Sequence, residues 1–125
     1  MSIGVEYFTR ANGSDELECR CNKCKQTVKG HFREQLNEAR AIAGVPFIIT
    51  SGMRCLEHNR SIGSKDTSSH IKGIAADIRY KDELDLSRIV HALSRVGFTR
   101  IGVNKKLKFV HADLDKDKSD AVFGY

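Results

Sequence analysis

The chain has 125 residues, of which 40% are hydrophobic and 30% charged, with a formal net charge of +5 and a pI near 9.1. A chain of this length buries about two-thirds of the surface that its unfolded form exposes, which suffices for one stable domain and leaves no room for a second core. No apolar run approaches the roughly 20 residues that a membrane-spanning helix requires, and the positive charge favours an anionic partner.

The N-terminal segment, residues 1–27, has an irregular pattern in which turn formers at 12–15 precede three closely spaced cysteines. Its first twenty residues contain six charged side chains and no continuous apolar stretch, so they do not have the pattern of a secretory signal. We therefore expect synthesis in the cytoplasm, with release by another route for any work outside the cell. We treat residues 1–125 as a single domain.

The first regular element predicted is an amphipathic helix over Val28–Ala43, where apolar residues recur at three- and four-residue steps and Gly44 provides the end. The apolar, β-branched run at 47–50 then predicts a buried strand. Residues 51–73 are rich in polar and turn-forming side chains. They indicate a long functional connection, with a short helix near Leu56–Ile62.

The second half of the chain predicts a strand over Ala75–Tyr80 and then a helix whose apolar stripe runs from Leu86 to Val96. Two short strands, Arg100–Val103 and Leu107–Ala112, follow as a hairpin. This order of elements predicts an α+β fold, in which a mainly antiparallel sheet packs with two main helices.

The strongest chemical signal is the segment 68–77, Ser-Ser-His-Ile-Lys-Gly-Ile-Ala-Ala-Asp. His70 precedes the predicted strand and Asp77 lies within it, and imidazole and carboxylate groups both suit Zn²⁺. Further along, His111 lies on the last predicted strand. Two histidines and one aspartate would leave a fourth position open to water, which distinguishes a catalytic zinc site on the sheet from a closed structural one.

These residues resemble the zinc D-Ala-D-Ala carboxypeptidase family, which also contains L-Ala-D-Glu endopeptidases of phage lysis. The family pattern Ser-x-His-x-x-Gly-x-Ala-x-Asp is matched over 68–77 at every defined position, and its distal histidine is matched by His111. The segment Ser51-Gly52-Met53-Arg54 is similar to the Ser-Gly-Tyr-Arg segment of the family, with Met53 in place of the usual aromatic residue. The resemblance spans about residues 15–115.

The resemblance also implies roles for individual side chains. It makes His70, Asp77 and His111 the zinc ligands. It places Arg54 over the substrate carbonyl, where a fixed cation stabilises the developing oxyanion. Ser68 either hydrogen-bonds the substrate or only turns the chain before the first ligand.

The general base is where this chain departs from the family pattern. Many relatives place an acidic residue three positions before the last histidine, and here that position is Lys108. Asp113 shares a strand face with His111, so it is our candidate for the proton acceptor, with orientation of an imidazole as the equal alternative. Glu57 and His58 are further options. Because Lys108 occupies the position of the usual acidic residue, a metal site with little or no activity is an alternative to an active enzyme.

Four cysteines form a second group, Cys19, Cys21, Cys24 and Cys55. Four thiolates could make a structural zinc site, although the usual signal has two Cys-x-x-Cys pairs and this chain has one. Disulfides after release and reduced thiols in the cytoplasm are the alternatives. A bridge or metal site reaching Cys55 would fix the loop that presents Arg54.

The leading hypothesis is a monomeric zinc peptidase that cleaves peptidoglycan peptides after release, in phage lysis or wall turnover, with no nucleic-acid or membrane partner. The second is a non-catalytic zinc-containing module that binds cell wall or belongs to a phage particle. The third is a small nucleic-acid-binding zinc protein, which lacks an obvious recognition helix. The sequence alone leaves carboxypeptidase and endopeptidase action as alternatives.

Overall fold

The computed structural model of the chain describes residues 7–9, 15–21 and 23–125. The turn formers predicted at 12–14 lie outside the described residues. The elements are α1 Gly30–Ala43, β1 Ile48–Ser51, α2 Leu56–Ser61, β2 Ala75–Arg79, α3 Glu83–Arg95, β3 Arg100–Asn104, β4 Phe109–Asp113 and β5 Ala121–Gly124. Within the described residues no helix has the length and apolar character that crossing a membrane requires.

The five strands form one sheet in the order β1-β2-β4-β3-β5. The β1–β2, β2–β4 and β3–β4 pairs are antiparallel, and β3 and β5 are parallel. The predicted α+β class is confirmed, and the sheet is mixed. The sequence analysis did not predict β5, because this strand has only four residues, one of them Gly124, and follows a polar stretch that carries no period-2 signal.

The first helix begins two residues later than predicted. Lys29 has extended backbone angles, with φ −62° and ψ 148°, and its N–H donates to the Gly73 carbonyl at 2.8 Å. Val28 is nevertheless buried, so its apolar character reflects packing of the segment that precedes the helix. This contact joins the start of α1 to the loop that carries the 68–77 motif.

The main core lies between the sheet and the helices α1 and α3. Phe32 of α1 meets Phe98 edge to face at 5.7 Å between ring centroids. Ile78 of β2 and Val110 of β4 are fully buried in the same apolar cluster. Because neighbouring residues of a strand point to opposite faces, Asp77 lies on the other face of the sheet. The helices therefore support a sheet whose second face carries the polar residues of interest.

Candidate metal centre

Three side chains from distant parts of the chain converge on the free face of the sheet. Asp77 of β2 is paired with His111 of β4 in the sheet register, and His70 comes from the loop before β2. One ligand atom from each of the three lies within 4.8 Å of the others. The ligands proposed from sequence are thus brought together by the fold.

The ring contacts of the two histidines define which atoms face the centre. His70 Nδ1 lies 2.6 Å from the Gly52 carbonyl oxygen, so in a neutral ring Nδ1 donates and Nε2 is an acceptor. That Nε2 lies 3.4 Å from Asp77 Oδ1. His111 Nδ1 lies 3.0 Å from the same Asp77 oxygen.

The second nitrogen of the His111 ring contacts Asp113. His111 Nε2 lies 2.7 Å from Asp113 Oδ2, so in the neutral ring that donates to Asp113, Nδ1 presents a lone pair to Asp77. Two imidazole acceptors and one carboxylate oxygen then converge without a donor between them. A proton or a cation must occupy that point, and the donor set suits a divalent ion with a preference for nitrogen and oxygen ligands.

The pKa directions agree with this picture. Burial by itself raises the pKa of Asp77, but the contacts with His111 and His70 outweigh it and hold that pKa well below its usual range. Burial lowers the pKa of His111, whereas the carboxylates of Asp113 and Asp77 raise it, with a net upward shift. Without an ion, Asp77 is therefore ionised and His111 tends to hold a proton beside it, at the point where a cation would bind.

Asp113 is fully buried and its carboxylate is committed to neighbouring groups. Besides His111, it accepts from Arg100 Nε at 3.2 Å and from the Asp115 backbone N–H at 3.0 Å. Burial raises its pKa, but the contact with His111 and the Asp115 N–H outweigh burial and lower it. Of the two roles considered from sequence, this geometry favours orientation of His111 over proton transfer.

Arg54 reaches Asp77 through Oδ2, the carboxylate oxygen other than the one that faces the two histidines. Its Nε donates to Ser51 Oγ at 3.0 Å, its Nη1 donates to Asn59 Oδ1 at 2.9 Å, and its Nη2 lies 3.6 Å from Asp77 Oδ2. Its backbone N–H donates to the His70 carbonyl at 3.1 Å. The guanidinium is therefore a buried, held cation beside the ligand cluster, with donors still unused.

Ser68 takes part in the turn that positions His70. Its Oγ accepts from the His70 backbone N–H at 3.3 Å. Gly73 closes the same turn, since its N–H donates to the His70 carbonyl and its φ of 75° is one that side chains with a Cβ rarely adopt. Ser68 thus has a local role in the loop, and its role toward substrate stays a prediction.

The structure adds a support for this loop that the sequence analysis did not name. Asp115 is buried, and its carboxylate accepts from Ser69 Oγ at 2.7 Å and from Lys72 Nζ at 2.9 Å. These contacts join the segment after β4 to the residues on both sides of His70. The available signal was the alternation of acidic residues that begins at Asp113, which continues the period of the strand.

Two aromatic residues at the end of β5 were also missed. Phe123 lies 6.3 Å from His111 and 5.6 Å from Tyr125 between ring centroids. They cover Gly102, where a Cβ would stand 2.5 Å from a Phe123 ring carbon. Burial and then the Asp77 carboxylate raise the pKa of Tyr125, which places its phenol on the side of the centre. Together they form an aromatic pair beside His111.

The remaining candidates for a proton acceptor lie elsewhere. Lys108 is exposed in the turn before β4, with a positive φ of 55°. The Glu57 side chain is 83% exposed and pairs with Lys23 at 3.7 Å. His58 is half-buried on α2, and its backbone N–H donates to Cys55 Sγ. Within the described residues, none of these three side chains forms a hydrogen bond or ion pair with His70, Asp77 or His111.

Comparison with known families identifies the family of the chain. The model of a family described as peptidase M15 matches residues 8–113. The chain belongs to the peptidase M15 family. No curated protein matches the chain closely enough to be counted as a relative.

Membership of the M15 family makes the chain a metallopeptidase at the level of the family, whose members depend on zinc. The matched range contains all three residues of the converging centre and also Arg54 and Asp113. The M15 assignment rests on the match over residues 8–113, and the geometry of the site brings the three acceptor groups together. Both favour a bound divalent ion at this point.

Proposed function

We propose that the chain is a zinc-dependent peptidase that hydrolyses a peptide bond in bacterial peptidoglycan. The observation that carries the proposal is the convergence of His70 Nε2, His111 Nδ1 and Asp77 Oδ1 on one point of the sheet. When bound there, a zinc ion polarises the scissile carbonyl and activates water. In this proposal His70, Asp77 and His111 would hold one metal, and three protein ligands would leave it able to act on water and substrate.

The surrounding residues supply positioning and charge. Arg54 is fixed by Ser51 and Asn59, so its unused donors can face the oxygen on which negative charge develops. Asp113 and the Gly52 carbonyl each hold one histidine ring in the tautomer that presents its lone pair inward. The Phe123 ring lies beside His111 on the β5 side, 6.3 Å between ring centroids. Each of these contributions is made before substrate arrives.

We further propose that the substrate is a stem peptide of the cell wall, reached after the protein leaves the cell that makes it, with lysis by a phage as one setting. The net positive charge supports this choice, because cell-wall polymers are anionic. In this proposal the chain acts as a monomer, and neither nucleic acid nor a membrane is a partner.

A second candidate is a zinc-containing module that binds wall polymer without cleaving it. One observation favours it: Lys108 is exposed at the position where many relatives carry an acidic residue, and Asp113 is already committed to His111, Arg100 and Asp115. Without a group to take the proton from water, the same centre would bind substrate and turn it over slowly.

Purified cell walls distinguish the two candidates. The wild-type protein is incubated with walls, and new amino groups and loss of turbidity are measured. The peptidase predicts that His70→Ala abolishes both signals, whereas His91→Ala, a matched change at an exposed histidine of α3, leaves them unchanged. Equal signals from wild type and His70→Ala contradict the peptidase. Wall binding without released amino groups favours the non-catalytic module.

The released product then identifies the bond. Carboxypeptidase action liberates free D-alanine from a stem pentapeptide, whereas endopeptidase action between L-Ala and D-Glu exposes a new amino group on glutamate. Mass spectrometry of the digested peptide separates these products. A product that retains every residue of the stem contradicts both.

A further inference from the structure

A second cluster of metal-binding side chains lies apart from the centre described above. The four cysteines of the chain, Cys19, Cys21, Cys24 and Cys55, are brought together so that their sulfur atoms all lie within 4.8 Å of one another. All four are free thiols, and the Cys21 and Cys24 sulfurs are 3.4 Å apart, well beyond the roughly 2.05 Å of a disulfide. Three come from the segment 15–27, and the fourth begins α2.

Backbone N–H groups surround this cluster. Each sulfur accepts at least one backbone hydrogen bond. Cys19 Sγ accepts from the Cys55 N–H at 3.3 Å, and Cys21 Sγ accepts from the Lys23 and Cys24 N–H groups at 3.4 and 3.3 Å. Cys24 Sγ accepts from the Gln26 N–H and Cys55 Sγ from the His58 N–H, both at 3.4 Å. Hydrogen bonds from N–H groups favour the anionic thiolate over the neutral thiol. Four thiolates at this separation repel one another strongly unless a cation lies between them.

We propose that these four cysteines bind one zinc ion in a closed, structural centre. Zinc–thiolate bonds of about 2.3 Å in a tetrahedron place sulfurs about 3.8 Å apart, which is consistent with the observed separations. Four sulfur ligands complete the coordination and leave no position for water, so this ion takes no part in hydrolysis. The centre goes beyond the proposed peptidase function and does not depend on it.

The second centre has a structural consequence because of where Cys55 lies. Cys55 follows Arg54 directly and is the N-cap of α2, a helix of six residues with only Asn59 buried. Such a short helix is marginal without further support. A metal bound by Cys55 and by the N-terminal cysteines would anchor the start of α2.

The same segment already lies against the strand end that leads to Arg54. The Met53 N–H donates to the Leu17 carbonyl at 2.9 Å, and Gly52 approaches Leu17 so closely that a Cβ there would stand 2.6 Å from its oxygen. The bound ion would therefore hold residues 15–27 on the loop that presents the guanidinium. The peptidase centre and the cysteine centre would share this loop without sharing a ligand.

Metal content per chain tests the proposal directly. Elemental analysis of protein purified with zinc is expected to give about two zinc ions for the wild type, about one for the double variant His70→Ala/His111→Ala and about one for Cys21→Ser. Lys23→Ala is the matched control, because it changes the turn between two ligands while keeping every sulfur and the backbone N–H. It is expected to retain both ions.

Cobalt substitution identifies the ligands of the ion that remains. In the double histidine variant, absorption from thiolate-to-cobalt charge transfer is expected to persist, and in Cys21→Ser it is expected to decrease sharply. If Cys21→Ser does not fold, the double histidine variant still decides the question. A metal-free double variant, disulfides in protein purified under reducing conditions, or iron in place of zinc would each overturn the proposal. An inactive wild type with a sulfur-bound zinc would leave it standing and contradict only the peptidase function.

Discussion

At the scale of single residues, the centre depends on side chains that fix one another before any ligand binds. His70 is held by the Gly52 carbonyl and His111 by Asp113, so each ring presents one defined nitrogen. Their common neighbour is Asp77, which is also close to Arg54. The Asp77 carboxylate is paired with Arg54 and the Asp113 carboxylate with Arg100, so the preference for a metal comes from the converging donor atoms and not from an excess of negative charge.

Asp113→Asn tests the orienting role of that carboxylate. The amide keeps the shape and loses the charge that stabilises the His111 ring, so zinc affinity is expected to fall about 10–100-fold. Competition with a chelator of known affinity measures it. Asp117→Asn, at an aspartate whose side chain is 84% exposed, is the control and should leave affinity unchanged. Wild-type affinity combined with loss of turnover and of one limb of the pH–rate profile would instead make Asp113 the proton acceptor.

Arg54→Lys tests the role of the guanidinium. Lysine retains the positive charge but cannot reproduce the planar contacts with Ser51 and Asn59, so kcat is expected to fall about 10²–10³-fold while zinc content stays the same. Steady-state kinetics on a stem peptide, with elemental analysis in parallel, provides the measurement. Arg60→Lys, at an exposed arginine of α2, is the matched control. An unchanged kcat would exclude the oxyanion role.

At the scale of elements, the loops on either side of β1 and β2 meet over the ligands. The turn around His70 is held by three connections. Its Gly73 carbonyl accepts from the Lys29 N–H at the start of α1, and its His70 carbonyl accepts from the Arg54 N–H. Asp115, in the segment after β4, accepts from Ser69 and Lys72 of the same turn. The sheet supplies two of the proposed ligands, Asp77 and His111, and the position of His70 depends on these connections. Their loss is therefore expected to weaken the centre without unfolding the sheet.

Gly52→Ala probes the contact between the N-terminal segment and the end of β1. The added Cβ would meet the Leu17 backbone, which cannot move as freely as a side chain, so the free energy of unfolding is expected to fall by about 1–3 kcal/mol. Zinc affinity at the histidine centre should fall too, because the Gly52 carbonyl orients His70. Chemical denaturation and chelator competition measure the two effects.

Gly30→Ala is the matched change, since a Cβ at that position meets nothing within 4 Å. Its free energy of unfolding should stay within about 1 kcal/mol of the wild type. If the two alanine variants are equally stable and bind zinc equally well, the close approach at Gly52 does not matter for the centre.

At the scale of the whole molecule, one sheet separates a helical core from a polar face. The antiparallel β2–β4 pair lies at the middle of the sheet, so Asp77 and His111 lie on its most constrained strands. The flanking loops are held to that platform by buried polar contacts. The stability of the fold is therefore expected to depend on pH through these buried carboxylates.

Asp115 provides the clearest pH prediction. Burial raises its pKa, but the contacts with Ser69 and Lys72 outweigh burial and lower it from 3.8 to about 2. A lowered folded-state pKa stabilises the protein above the unfolded value, and that stabilisation is lost as the pH falls from about 4 to about 2. Asp115→Asn should thus lower the free energy of unfolding by on the order of 2 kcal/mol at pH 7 and by much less near pH 2.

Denaturation curves of wild type and Asp115→Asn at several pH values measure that difference. Asp66→Asn, at an exposed aspartate paired with Arg60, should leave the free energy of unfolding close to that of the wild type at every pH, because solvent screens an exposed ion pair. A difference between wild type and Asp115→Asn that is the same at pH 7 and pH 2 would show that the charge of Asp115 does not contribute.

The sequence by itself determined the α+β class, because the apolar periodicities of α1, α3 and the strands are local signals. It also predicted the three converging residues through the spacing of 68–77 and the distal His111. Tertiary structure decided that Asp113 holds a ring, that Asp115 supports the loop, and that β5 brings Phe123 beside His111. Those outcomes depend on which distant groups a side chain meets, and a contact between residues far apart in the chain leaves no periodic pattern in the sequence.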